Sequence, residues 1–201
     1  MTWLKQLTPE KISSRLALSG DHITYDVSPG RENESYNQAA VLMPVFLHQQ
    51  QWHLLYIRRA QHENDPHSDQ VAFAGGKQEA YDADLVETAL REAEEEIGLM
   101  RQHVQVLGTL PAHYSVSRFC IKPVVATVSW PYRLKPDRRE VARVFSIPLQ
   151  WLAEIKHFNI RNHQGQQGNP FPVVLFDEYD GEVLWGATAR MTLSLIDRLR
   201  D

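Results

Sequence analysis

The chain has 201 residues, 43% hydrophobic and 23% charged, with a formal net charge of −4, which suits one buried core in an ordinary globular protein. No Lys/Arg-rich run or basic surplus appears, and this argues against a nucleic-acid partner. The single cysteine, Cys120, excludes an internal disulfide framework, and no window has the apolar length of a membrane span.

In chain order, residues 1–6 lack the apolar stretch of a signal peptide, so a cytoplasmic protein is expected. Residues 9–19 read as a helix, with Thr8 as its cap and Pro9 at its first position. Residues 20–37 are polar and turn-rich and predict a surface wrap. Strands are expected over 39–48 and 52–58, joined by a turn at Gln49-Gln50-Gln51. A polar loop over 60–69 leads to a short strand at 70–74 that runs into Gly75-Gly76. Leu85, Ala89, Ala93 and Ile97 recur every four residues and predict a helix over 84–97, with Gly98 as its stop. Further strands are expected at 104–110, 121–130, 140–147 and 171–176. A short helix is expected over 148–155 and a Gln/Gly-rich turn over 162–169. An amphipathic helix over 187–200, with Met191, Leu195 and Leu199 in register, closes the chain. The mixture predicts an α+β fold of layered α/β/α type.

The chemistry concentrates in Gly75-Gly76-Lys77-Gln78-Glu79-Ala80-Tyr81-Asp82 and in Arg91-Glu92-Ala93-Glu94-Glu95-Glu96-Ile97-Gly98-Leu99. Residues three and four apart share a helix face, so Glu92, Glu95 and Glu96 converge on one side. Like charges at this spacing destabilise a helix unless something neutralises them. Glutamate runs are usually solvated faces, but a hard divalent cation such as Mg²⁺ or Mn²⁺ also suits such a cluster. It can bridge diphosphate oxygens and acidify a bound water. Arg91 is placed to hold one carboxylate by a bidentate pair.

This segment resembles the Nudix box, G-x5-E-x7-R-E-U-x-E-E-x-G-U, where U is apolar. Gly76, Arg91, Glu92, Glu95, Glu96 and Gly98 match its fixed positions, with Ala93 and Leu99 at the apolar ones. Asp82 stands at the middle glutamate, and one extra residue separates it from Arg91. The resemblance implies a Nudix-type α/β/α sandwich, with a mixed sheet and the box helix against it. It also implies a core at about 39–195 and a helical extension over 1–38, within one domain. The implied activity is hydrolysis of a diphosphate linkage in a small nucleotide-derived substrate. The implied metal ligands are Glu92, Glu96, Glu95 and the carbonyl of Gly75. Arg91 would orient the cluster, Glu79 would support it, and Glu95 or Glu92 would take part in the chemistry. Relatives in the family often dimerise, so a homodimer is an expectation.

Outside the box, several segments are similar to the coenzyme A pyrophosphatase branch. They are 54–60, 71–76, 107–111, 123–126, 140–145 and 185–189. The branch signature is departed from at Tyr56 for Thr, Asp69 for Gly and Ala74 for Pro. ADP-ribose, a nucleotide sugar or a nucleoside triphosphate is the alternative substrate, and a non-catalytic nucleotide sensor is the alternative function. Arg58, Arg59, Gly76 and Lys77 are the candidate substrate-binding residues, the two arginines as a phosphate clamp. Glu140 and Glu178 are candidate remote bases, and His113 and Tyr114 candidate contacts to a base or ribose. Buried strands are expected at 123–126 and 141–145, and Trp185-Gly186 is expected to pin the last helix to the core.

Overall fold

A computed structural model describes residues 1–18, 35–63, 68–115, 117–164 and 170–200. Strand β1 (Asn37–His48) is the axis of a mixed eight-stranded sheet. It runs parallel to β7 (Phe119–Val128). It is antiparallel to β2 (Gln51–Arg59) near the hairpin and to β4 (Gly75–Lys77) at its opposite end. β2 pairs with β8 (Val141–Pro148) and, where it ends, with β3 (Val71–Ala72). β7 carries β5 (Val104–Thr109) and β6 (His113–Tyr114).

The period-two alternation of β2 splits the interior into two cores. Leu55 and Ile57 enter the one beneath helix α2 (Leu85–Ile97), where Ala89, Ala93 and Ile97 meet Ala40, Leu42, Val124 and Ala126. Leu54 and Tyr56 enter the other, beneath α1 (Pro9–Ala17), α3 (Leu149–Leu152) and α4 (Gly186–Arg200). The result is the expected helix–sheet–helix sandwich. Thr8 caps α1 by accepting the Lys11 N–H at 3.3 Å, and Ile12 and Leu16 join the α4 core. Arg15 donates to the Leu199 carbonyl, tying α1 to the end of α4. Among the described residues, no helix is long and apolar enough to cross a membrane.

Several expectations are corrected. The expected strand over 70–74 is reduced to Val71–Ala72, and Gly75–Lys77 forms a separate strand because Val41, Ala40 and Ala39 pair with it. Residues 162–164 belong to β9 (Phe158–Gln164), which pairs with β10 (Pro170–Phe176) in a separate ribbon. Residue 19 of the expected helix and residues 20–34, 64–67 and 165–169 of the expected wrap, loop and turn lie outside the described residues. Trp185 does not pin α4 to the core: it is 43% exposed, while Met191, Leu193, Leu195 and Leu199 hold the helix there. The strand at 123–126 is buried as expected, with Val124, Val125 and Ala126 fully enclosed, whereas over 141–145 only Val141 and Phe145 are buried and Ala142, Arg143 and Val144 are partly exposed.

Candidate active site

Two caps fix where the acidic helix starts and stops. Asp84 accepts the N–H groups of Val86 and Glu87 at 2.8 and 2.9 Å. Gly98 adopts a left-handed φ of 66°, and Leu99 N–H reaches the Ala93 carbonyl at 3.1 Å. The segment after β7 then straps the helix end. Asp137 N–H donates to the Glu96 carbonyl at 2.9 Å and Lys135 N–H to the Ile97 carbonyl at 2.8 Å. The Tyr132 hydroxyl donates to the Gly98 carbonyl at 2.9 Å.

With Ala89, Ala93 and Ile97 against the sheet, Glu92 and Glu96 point toward β4. Glu96 is only 3% exposed and accepts the Gly75 N–H at 3.0 Å. Burial pushes its carboxyl up to about 8; the Gly75 hydrogen bond opposes this, Glu92 and Glu140 add to it, and Arg59 opposes it. Burial also raises Glu92, against the hydrogen bond and charge of Arg91, with Glu95 and Glu140 adding. The double glycine makes this approach possible. A Cβ at Gly76 would lie 2.4 Å from the Glu92 Oε1, and one at Gly75 would lie 2.3 Å from the Ala40 carbonyl oxygen.

Arg91 organises the rim. Its Nε and Nη2 donate to the two oxygens of Asp82 at 2.9 Å each, and Nη2 also reaches the Lys77 carbonyl at 3.2 Å. Its Nη1 donates to Glu92 at 2.9 Å and to Glu95 at 3.0 Å. Asp82 also accepts from the Glu79 N–H at 2.9 Å and the Thr88 hydroxyl at 3.0 Å. The Arg91 guanidinium holds the Asp82 carboxyl far below the usual carboxylate range. The ring of Tyr81 lies 5.6 Å from the Arg91 Cζ.

The structure brings Glu92, Glu95, Glu96, Arg91, Gly75 and Gly76 together, with Lys77 joining through its carbonyl. Glu140 enters from the turn before β8, its charge acting on Glu92 and Glu96. That turn is fastened to the end of β2, since Ala60 N–H donates to the Glu140 carbonyl at 2.7 Å. The two arginines separate. Arg59 acts electrostatically on Glu96, whereas Arg58 faces Glu182 and Asp69, at 3.8 and 3.5 Å. Glu79 contributes its main-chain N–H to Asp82, and its side chain is exposed. Glu178 is exposed in the loop after β10. His113 is buried and bonded to Arg190 of α4 at 3.1 Å, and Tyr114 packs edge-on against Tyr36. Sequence reasoning missed the Asp137 strap and the Tyr81 ring. The strap works through main-chain groups and leaves no residue signature.

Among the described residues, no three acidic, His or Cys side chains already form a metal cage. The surroundings nevertheless fit a divalent cation. Glu96 is buried and Glu92 half-buried; desolvation disfavours both charges, the charge of Glu92 adds to this at Glu96, and those of Glu95 and Glu140 add to it at Glu92. The glycines keep side chains out of the space beside them, and carboxylate oxygens are the donors that Mg²⁺ and Mn²⁺ select.

Comparison with known proteins identifies the family and the fold. The NUDIX domain family matches residues 36–166. An uncharacterised Nudix hydrolase of Pectobacterium atrosepticum, NudL, is 37% identical over 165 residues, covering 82% of this chain and 83% of its own. The NudL of Salmonella heidelberg is 36% identical over 192 residues, 94% of each chain. Among solved structures, a MutT/nudix family protein of Enterococcus faecalis superposes with a TM-score of 0.50 at 15% identity, over 94% of this chain and 71% of that one. At that identity the superposition shows the fold alone.

Proposed function

The chain belongs to the Nudix hydrolase family and is thus a pyrophosphohydrolase, and we propose that its substrate is coenzyme A or an acyl-CoA, cut to 3′,5′-ADP and a phosphopantetheine. The observation that carries the site is the buried Glu96, bonded to Gly75 and electrostatically coupled to Glu92 and Glu140. The substrate reading rests on the likeness of the segments outside the box to the coenzyme A branch. Two departures from that branch are accommodated locally. Asp69, standing for glycine, adopts a φ of 61°, the left-handed backbone that glycine favours. Tyr56, standing for threonine, is fully buried between Phe73 and Phe145 and bonds Thr192 at 3.0 Å.

Nudix enzymes generally use divalent metal ions. A Mg²⁺ or Mn²⁺ ion, when bound, would supply charge neutralisation of the diphosphate and an acidified water. The chain's own residues do the rest. Glu92 and Glu96, with Glu95 and the Gly75 carbonyl, would hold the ion. Gly75 N–H and the Asp137 strap fix Glu96 from side chain and main chain at once. Glu140 or Glu95 receives the proton of the attacking water. Arg91 keeps Glu92 and Glu95 aligned, and Arg59, Gly76 and Lys77 flank the diphosphate.

The test is product release from coenzyme A, ADP-ribose, a nucleotide sugar and a nucleoside triphosphate, each with Mg²⁺ and with Mn²⁺. Preferential cleavage of coenzyme A, lost in Glu96→Gln, is the expected result. Preference for another compound refutes the substrate. No cleavage of any compound puts a nucleotide-sensing domain in its place.

A further inference from the structure

We propose that Tyr81 is the stacking platform for the nucleobase end of the substrate. A single exposed aromatic needs no explanation by itself; the position of this one does. Tyr81 is 74% exposed in the loop between Gly76 and Asp82. Its ring lies 5.6 Å from the Arg91 Cζ, and Nη1 of that guanidinium bonds Glu92 at 2.9 Å. One guanidinium thus separates an open aromatic surface from the carboxylate assigned to the metal and diphosphate. In a nucleoside diphosphate, a ribose separates the base from the phosphates over a comparable span.

The loop that carries the ring is held on both sides. Asp82, the next residue, is clamped by Arg91 and accepts the Glu79 N–H at 2.9 Å. Arg91 also reaches the Lys77 carbonyl at 3.2 Å. The cation lies against one side of the ring and favours this orientation, which lowers the ordering cost when a base stacks on the exposed surface. Aromatic stacking tolerates any base, because every base has a π-face. The ring thus favours a nucleoside-containing diphosphate over a bare one without selecting among bases.

The inference rests on the pyrophosphohydrolase reading, and calorimetric titration separates the two. The wild type, Tyr81→Ala and Tyr81→Phe are titrated with ADP and with inorganic pyrophosphate, both with Mg²⁺. Tyr81→Ala weakens ADP binding roughly five- to a hundredfold, the usual range for one stacked base. Pyrophosphate binding stays at the wild-type level, and Tyr81→Phe retains ADP. Unchanged ADP affinity in Tyr81→Ala overturns the platform. So does an equal loss for both ligands, which would mean that the ring only shields Arg91. A wild type that binds neither ligand overturns the pyrophosphohydrolase reading, and the platform with it.

Discussion

Asp82 grips Arg91 with both carboxylate oxygens, at 2.9 Å each, across nine positions of sequence. The same guanidinium turns its remaining nitrogen to Glu92 and Glu95, so Asp82 sets the two carboxylates we propose as metal ligands through Arg91. Asp82→Asn keeps the size and removes the charge. We expect kcat/KM to fall about ten- to a hundredfold and stability to fall by about 1.5–3 kcal/mol, the range for a hydrogen bond to a charged partner. Steady-state kinetics and denaturant unfolding check both. An unchanged kcat/KM would remove Asp82 from the account.

The Asp82 pair also shows where sequence reading reached its limit. The spacing from Asp82 to Arg91 is one residue longer than the box pattern, yet the pair forms, because Asp84 starts the helix and Thr88 and the Glu79 N–H brace Asp82. Helix α2 was legible because Ala89, Ala93 and Ile97 repeat at helical spacing and Gly98 ends the run. Strand β4 was not, since two glycines carry no alternation; its extended form is imposed by Ala40 and Val41, far away in sequence. The fates of Arg58 and Arg59 depend on which face of β2 each occupies, and that follows from the sheet register rather than from two adjacent arginines.

The adjacent glycines should fail in different ways. At Gly75 an added Cβ meets main chain, 2.3 Å from the Ala40 oxygen and 2.6 Å from the Val41 Cα, so the sheet itself must shift. Gly75→Ala should cost about 1–3 kcal/mol of stability, as overpacking does. At Gly76 the obstacle is the Glu92 carboxylate at 2.4 Å, the end of a flexible side chain. Gly76→Ala should leave the unfolding midpoint within about 0.5 kcal/mol of wild type and depress turnover by displacing Glu92. Equal destabilisation by both would contradict this division.

Glu96 should weaken the metal-free fold as pH rises. Its folded carboxyl is pushed up to about 8 from an ordinary 4.5. A raised carboxyl contributes stability that is fully present below the unfolded value and is lost as pH climbs through the folded one. The metal-free wild type should therefore lose stability between pH 4.5 and 8, and Glu96→Gln should be flatter there and more stable at pH 8.5 by on the order of 1–3 kcal/mol. Glutamine still accepts the Gly75 N–H. Mn²⁺ should raise the wild-type melting midpoint and leave that of Glu96→Gln nearly unmoved, as expected when an ion binds only the folded form. A Glu96→Gln protein that melts below wild type at pH 8.5 without metal would count against the buried charge.

His113 predicts the opposite limb. Burial, reinforced by the Arg190 charge, pulls its imidazole down to about 3. The ring is therefore neutral in the fold and accepts from Arg190 at 3.1 Å. The unfolded chain protonates it near 6.5, so its contribution is present above that pH and is lost as pH falls toward 3. His113→Gln keeps an acceptor for Arg190 and cannot titrate in this range. Its stability, relative to wild type, should improve steadily from pH 6.5 down to pH 4, as read from urea midpoints at each pH. The two proteins should differ by a constant amount above pH 7. Parallel acid limbs would show that Arg190 and the core tolerate a charged imidazole, and that acid unfolding starts elsewhere.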